Sequence, residues 1–247
     1  MMDTLLSIGL SHQGAMLRRM DVIANNIANA STTAFKRERV VFQDYLFTMK
    51  GEGPKELRDV RMVLDYGVVP DMSKGEFIMT RNPLDVAMEN EGFMVIQSDE
   101  GERLYTRNGN FRINIDGELT TQTGQRVLGV NDQPIRINPD DTNIIITEDG
   151  TMRSDLGDIG QIQMVQFANY QGLERRGDSL FATEREELPP AELRLVQGAL
   201  EGSNVNPIEQ VTSMINVLRS YQSMERSLNT YSEQQDRAID RLSQVQA

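Results

Sequence analysis

The feature that most constrains this fold is the last segment of the chain. Val217, Tyr221, Met224, Leu228, Tyr231, Gln235, Ala238, Leu242 and Val245 alternate steps of four and three, and all but Gln235 are apolar or aromatic. That spacing predicts a helix with one continuous seam. Asn206-Pro207-Ile208-Glu209 supplies its start: a capping side chain, a proline at the first helical position and a glutamate three residues after the cap. Run to the end of the chain, such a helix is roughly 58 Å long at 1.5 Å per residue. No small domain can hide it along its whole length.

The opposite end reads as a second helix, from about Thr4 to Ala30, with Asp3 or Thr4 as cap. Leu6, Leu10, Leu17, Met20, Ala24 and Ile27 form one stripe, and Ile8, Ala15 and Val22 form a second line. Ile8 stands about 200° from Leu6 around the helix, so both sides are apolar and the helix is predicted to lie between neighbours. If both terminal helices project from the middle of the chain in the same direction, they pair antiparallel.

Charge separates the ends from the middle. Residues 1–35 balance Asp3 and Asp21 with Arg18 and Arg19, and residues 203–247 hold five acids and four bases. Of the net charge of −12, the remaining −11 therefore falls on residues 36–202. An acidic body argues against nucleic acid or anionic lipid as a partner. There is no cysteine and His12 is the one histidine, so thiol chemistry and most zinc sites are excluded. No apolar run reaches the ~18 residues of a membrane span. Ala28-Asn29-Ala30 imitates a cleavage site, but Asp3 precedes it and Arg18-Arg19 interrupts the apolar stretch, so no cleaved signal peptide is expected.

The middle reads as β structure. Strands are predicted at Phe93–Gln97, Leu104–Thr106, Phe111–Ile115, Glu118–Gln122, Gln125–Val130, Asn143–Thr147, Thr151–Arg153 and Gln161–Ala168. Asn108-Gly109, Asp116-Gly117, Thr123-Gly124 and Asp149-Gly150 read as hairpin turns. Pro54, Pro70, Pro83 and Pro189-Pro190 mark boundaries. The expected fold class is α+β: N- and C-terminal helices pairing as a coiled-coil-like arm, with a β-rich middle domain. The expected divisions are a terminal helix over 1–35, a connecting extended or β segment over 36–80, a β domain over 81–196, and a linker with the second helix over 197–247.

Catalytic signals are poor. No phosphate loop, dinucleotide-binding glycine pattern or nucleophile elbow is present. Glu184, Glu186, Glu187 and Glu192 read as a solvated loop, and Asp116 and Asp149 as turn residues without the spaced ligands of a calcium loop. A wall-active glycan hydrolase with oligomerising helices is the alternative from another class, and it would need a paired-carboxylate cleft. A soluble export chaperone would also use amphipathic helices. No catalytic residue, metal or cofactor is expected.

Residues Asn25 to Lys36 are unusual, because three asparagines at helical positions with small residues between them are costly in propensity. Asparagine side chains can bond backbone or partner groups across a close helix contact. Asn25, Asn26, Ala28 and Asn29, then Thr33, Phe35 and Lys36, resemble the N-terminal signature of the flagellar rod and hook family. Three further stretches fit it. These are Asn82-Pro83-Leu84-Asp85, the run Tyr105-Thr106-Arg107-Asn108-Gly109-Asn110-Phe111, taken as a hairpin, and Gly198-Ala199-Leu200-Glu201-Gly202-Ser203-Asn204-Val205.

The resemblance implies a non-enzymatic subunit of the flagellar basal-body rod, a drive shaft in the periplasmic space. Its partners would be copies of itself, neighbouring rod proteins and the flagellar type III export apparatus, with an uncleaved export signal. Length and the missing middle insertion point to the rod and not the hook, and the Glu201–Pro207 entry with the Glu-Arg-rich tail looks most like the proximal-rod type, with the distal-rod type as runner-up. On this reading Leu6, Leu10, Leu17, Met20, Ala24 and Ile27, with Val217, Tyr221, Met224, Leu228, Tyr231 and Leu242, are assembly residues. Ala34 stands where the family commonly has glycine. A positive φ there would cost alanine about 1 kcal/mol, so a different turn is expected. Arg81 likewise departs from a usual small residue.

Overall fold

A computed structural model describes the backbone of residues 2–48, 59–170, 172–189 and 194–245. Side chains are described within those spans except for 2–8, 42–48, 59–66, 235, 236 and 238–245. The boundary prolines Pro54 and Pro190, and Glu192, lie outside the described residues.

In chain order the elements are α1 (Met2–Ala28), β1 (Glu38–Thr48), β2 (Asp59–Pro70), β3 (Phe77–Met79), β4 (Asp85–Met88), β5 (Phe93–Gln97), β6 (Arg103–Thr106), β7 (Gly109–Ile113), β8 (Leu119–Thr121), β9 (Arg126–Val127), β10 (Ile145–Ile146), β11 (Thr151–Ser154), β12 (Gly157–Gln161), β13 (Met164–Val165), β14 (Glu174–Arg175), β15 (Leu180–Ala182), β16 (Leu195–Gln197), β17 (Ala199–Glu201) and α2 (Pro207–Val245). The chain forms two compact units. One holds residues 1–27, 38–68 and 206–247, and the other, the body, holds 28–37 and 69–205.

The first unit contains both helices and the two-stranded sheet of β1 and β2. α2 begins as its sequence dictates. The Asn206 side-chain oxygen accepts the N–H groups of Ile208 at 3.1 Å and Glu209 at 3.3 Å, which caps two orphan donors. α1 starts at Met2, so Asp3 and Thr4 lie inside the helix and do not cap it.

The helices pair, but the expected coiled-coil-like arm is not what forms. Gly9 faces Leu228 so closely that an added methyl would stand 2.6 Å from Leu228 Cδ2. Leu10 and Leu17 are exposed, and Tyr221, Met224, Leu228 and Tyr231 are only half-buried. Interlocking seams need large apolar knobs on both helices. α1 buries Gly9, Val22, Ile23 and Asn26 instead, a face that sets a small residue and a polar one beside two β-branched ones.

The body is an antiparallel sheet of ten strands, in the order β14-β15-β6-β5-β9-β8-β7-β4-β16, with β13 also on β5. Two core layers explain why Phe93–Ile96 is continuously apolar. Met94 and Ile96 enter one cluster with Val86, Leu104 and Leu119, while Phe93 and Val95 enter another with Tyr105, Phe167 and Phe181. A strand alternates its side chains between faces, so one covered on both must be apolar at every position. Smaller sheets join β10-β11-β12 and β17-β3.

Three of the four predicted turns are hairpins: Gly117, Gly124 and Gly150 have φ of 78°, 103° and 85° between paired strands. Asn108-Gly109 is not one. β6 pairs with β5 and β15, and β7 pairs with β8 and β4, so the chain crosses between distant positions of the sheet there. Gly109 lies inside β7 and is required for closeness: a methyl on it would overlap the Val86 carbonyl oxygen and stand 2.6 Å from Val86 Cγ2.

Candidate functional site

The residues of the four motifs are distributed between two clusters, one in each unit. In the helical unit, Asn26 is buried at the end of α1. Its Oδ1 accepts the Glu38 N–H at 2.9 Å, and its Nδ2 donates to the Glu38 carbonyl at 2.9 Å and to Gln210 Oε1 at 3.4 Å. One amide thus ties the start of β1 to both helices, the kind of bond that justifies an asparagine at a helical position. Asn25 and Ala28 are exposed.

In the body, stretches 33–37, 71–76 and 198–205 meet around Lys36, Asn204 and Glu201. The Asn204 side chain accepts the Arg37 N–H at 2.6 Å and donates to the carbonyls of Asp71 at 2.8 Å and Ser73 at 2.9 Å. Its own N–H donates to the Phe35 carbonyl at 3.3 Å, and Asp71 N–H donates to Arg37 at 2.7 Å. Ser203 caps the turn below, its hydroxyl accepting from Val205 N–H at 3.2 Å. Phe35 is fully buried, with the Arg175 guanidinium 4.0 Å above its ring, and the Thr33 carbonyl accepts the Ser179 hydroxyl at 3.1 Å. Thr32 closes the preceding turn onto Asn29 Oδ1 at 3.2 Å.

At the centre are three buried charges. Lys36 Nζ reaches Glu201 Oε1 at 2.6 Å and Arg107 Nε reaches Oε2 at 2.8 Å, with 0% of the Lys36 and Glu201 side chains exposed. Lys36 also donates to the Ser73 carbonyl at 2.8 Å, and Arg107 to the carbonyls of Gly92 at 2.7 Å, Asn90 at 3.0 Å and Met88 at 3.3 Å. Burial raises the Glu201 carboxyl, but the Arg107 and Lys36 charges outweigh it and hold it below the usual carboxylate range. Burial lowers the Lys36 ammonium and Arg107 adds to that, while Glu201 pulls the other way. The carboxylate that serves both cations comes from a short strand whose sequence, Gly-Ala-Leu-Glu-Gly, looks like a turn. An acid among small and apolar residues, with basic residues in two other motifs, was the available signal.

Asn82 Nδ2 donates to Asp85 Oδ1 at 2.9 Å, and the Asp85 carbonyl accepts Gly198 N–H at 2.8 Å, which links the second and fourth motifs. The Pro83 carbonyl accepts Gln197 Nε2 at 2.8 Å, and Leu84 packs on the core. Arg81 has φ of 62° and donates with Thr80 to the Gly198 carbonyl, so a left-handed turn stands there without glycine. Ala34 does the same. Its φ is 55°, so the expected different turn does not form. The methyl is fully buried and the N–H donates to the Glu201 carbonyl at 2.7 Å, which offsets the strain.

The acidic loop is less uniform than its sequence suggests. Glu184 and Glu186 are exposed, but Glu187 binds Arg103 through both carboxylate oxygens, at 2.6 and 2.8 Å, and accepts the Tyr105 hydroxyl at 2.7 Å. A cleft of about 660 Å³ lies beside it, lined by Glu102, Glu174 and Glu184 with Arg103, Arg176 and Arg185. Those carboxylates are exposed, without the apolar enclosure a general acid needs. Among the described residues no group of three or more His, Asp or Glu could hold a metal.

Of the expected assembly residues, Leu10 is 57% and Leu17 46% exposed, Ala24 is exposed, and Met20 and Ile27 are half-buried. Val217 is buried, and the side chains of Leu6 and Leu242 lie outside the described residues. α2 carries a second stripe that residue spacing did not reveal. Ile208, Val211, Ile215 and Leu218 are all exposed and lie about 100–180° around the helix from Val217.

Comparison with known proteins decides the family. Residues 8–36 match the family described as flagella basal body rod protein, residues 87–154 the flagellar hook protein FlgE/F/G D1 domain, and residues 196–241 the flagellar basal body rod FlgEFG protein C-terminal region. The flagellar basal-body rod protein FlgF of Caulobacter vibrioides is 33% identical over 99% of this chain and 100% of its own length. The chain belongs to the flagellar basal-body rod family. FlgF of Salmonella typhimurium is 31% identical over 98% of this chain and 99% of its own, and FlgG of Buchnera aphidicola subsp. Schizaphis graminum is 32% identical over 92% and 93%. These FlgF relatives of the rod family align along more of the chain than this FlgG does.

Proposed function

We propose that this chain is a structural subunit of the flagellar basal-body rod that joins its neighbours through the apolar faces its terminal helices leave exposed. The observation that carries this is the pair of unpartnered stripes, Leu10, Leu17 and Ala24 on α1 and Ile208, Val211, Ile215 and Leu218 on α2. Solvated stripes of large apolar residues at helical spacing are stable when another chain covers them. The neighbours are copies of itself and other rod proteins. Met20 and Ile27 border the α1 stripe, and the half-buried seam Tyr221, Met224, Leu228 and Tyr231 lies on the other side of α2 from its exposed stripe.

Its role is mechanical and not catalytic: torque passes through many helix contacts, and the clamp of Lys36, Asn204 and Glu201 keeps the body rigid. The chain reaches the rod through the flagellar export apparatus. Among the described residues, no helix is long and apolar enough to cross a membrane. Leu17→Asp and Ile215→Asp are expected to block incorporation into purified basal bodies while the near-ultraviolet circular dichroism of the body stays unchanged. Normal basal bodies containing either variant would overturn the assignment of these faces.

A further inference from the structure

Around Glu201 two buried cations share one carboxylate. Lys36 and Arg107 are both shut away from water, and the carboxylate touching both is that of Glu201, in the last strand of the body. Asp71 adds a weaker attraction for Lys36 but is itself bonded to Arg37 at 2.7 Å. Lys36 belongs to the first stretch of the body, 165 residues earlier, and Arg107 to the crossing between β6 and β7. Gly75 N–H also donates to Glu201 Oε1 at 3.0 Å, and the Glu201 carbonyl holds Ala34.

Burying a cation without its partner is strongly unfavourable. Without β17 seated, Lys36 and Arg107 are better left in water. Arg107 would then not anchor the carbonyls of residues 88–92, and Lys36 would not hold Ser73. The same terminal segment supplies β16, which covers the edge of β4, and β17, which covers β3.

We propose that Glu201 is a completion lock: the body closes only when residues 195–204 are seated on residues 33–37, so the chain stays open while only its N-terminal part has been synthesised. Because this is a statement about the body alone, it does not depend on how the subunit is built into the rod.

The test is native-state hydrogen exchange on the full-length chain in low concentrations of urea. The amides of Ala34, Gly202 and Asn204 report the lock, and those of Val95 and Leu128 report the central sheet. Both groups are expected to exchange through one common opening, and Glu201→Gln is expected to lower protection of both at least 100-fold. If Glu201→Gln does not fold, Lys36→Met combined with Glu201→Gln is expected to recover at least tenfold of the lost protection, since one stranded cation is gone. The proposal is overturned if lock amides in the natural chain open separately while the sheet stays protected, or if removing Lys36 recovers nothing.

Discussion

Gly109→Ala tests whether the third motif is defined by close approach or by turn geometry. Gly109 pairs with Val86 across β7 and β4, and an ideal methyl there would stand 2.8 Å from the Val86 carbonyl carbon and 2.6 Å from its γ2 methyl. The obstacle is backbone, so no side chain can swing away. Overpacking of this kind costs about 1–3 kcal/mol, and pushing β4 off β7 weakens neighbouring ladder bonds worth about 0.5–1.5 kcal/mol each. Together these give a loss of about 3–4 kcal/mol. Two controls separate the causes. Gly124 has φ of 103° and open space around it, so Gly124→Ala should cost only the backbone strain of about 1–2 kcal/mol. Gly160 has nothing nearer than 3.8 Å and no positive φ, so Gly160→Ala should fall within about 0.5 kcal/mol of the natural chain. Urea unfolding followed by near-ultraviolet circular dichroism reads the body through its ring cluster, where Phe93 lies 5.7 Å from Phe167 and Tyr105 lies 5.0 Å from it. A loss below about 1 kcal/mol for Gly109→Ala, or one no larger than that for Gly124→Ala, would refute the reasoning.

Two further outcomes follow from the clamps. Asn26→Ala leaves the Glu38 N–H and carbonyl without their side-chain partner in a partly buried site, so the helical unit should lose about 1–3 kcal/mol. Urea unfolding followed at 222 nm would show this, and a shift worth under about 1 kcal/mol would mean that water replaces the amide. Burial alone would raise the Asp71 carboxyl, but bonds from Arg37 and Ser73 outweigh it and hold it at about 2. A carboxyl depressed in the folded state stabilises above its unfolded value and loses that contribution as pH falls through its folded one. The urea midpoint should therefore drop between about pH 4 and pH 2, less steeply in Asp71→Asn, and a carboxyl titrating near 4 by NMR would contradict the pairing.

Residue spacing made both helices and the cap at Asn206 readable, and the apolar run Phe93–Gln97 marked a strand, because each is local; that the strand is covered on both faces emerges only in the fold. The Asp116-Gly117, Thr123-Gly124 and Asp149-Gly150 hairpins were readable for the same reason: a left-handed turn is set by the residues within it. Asn108-Gly109 looks the same locally, and only the strand order shows that its glycine answers to Val86, in another strand.

The amino-acid sequence by itself therefore determined the elements, the acidic body between near-neutral ends and, through four motifs, the family. Tertiary structure alone decided which side of each helix is covered. Gly9 and Asn26 turn inward on α1 because close backbone approach and a buried amide bond outweigh the leucines that periodicity favours. It also decided that Lys36 and Arg107, far apart along the chain, share the carboxylate of Glu201. It decided, too, that Ala34 keeps a left-handed turn, because its bond to Glu201 and the burial of its methyl exist only once the strands have met.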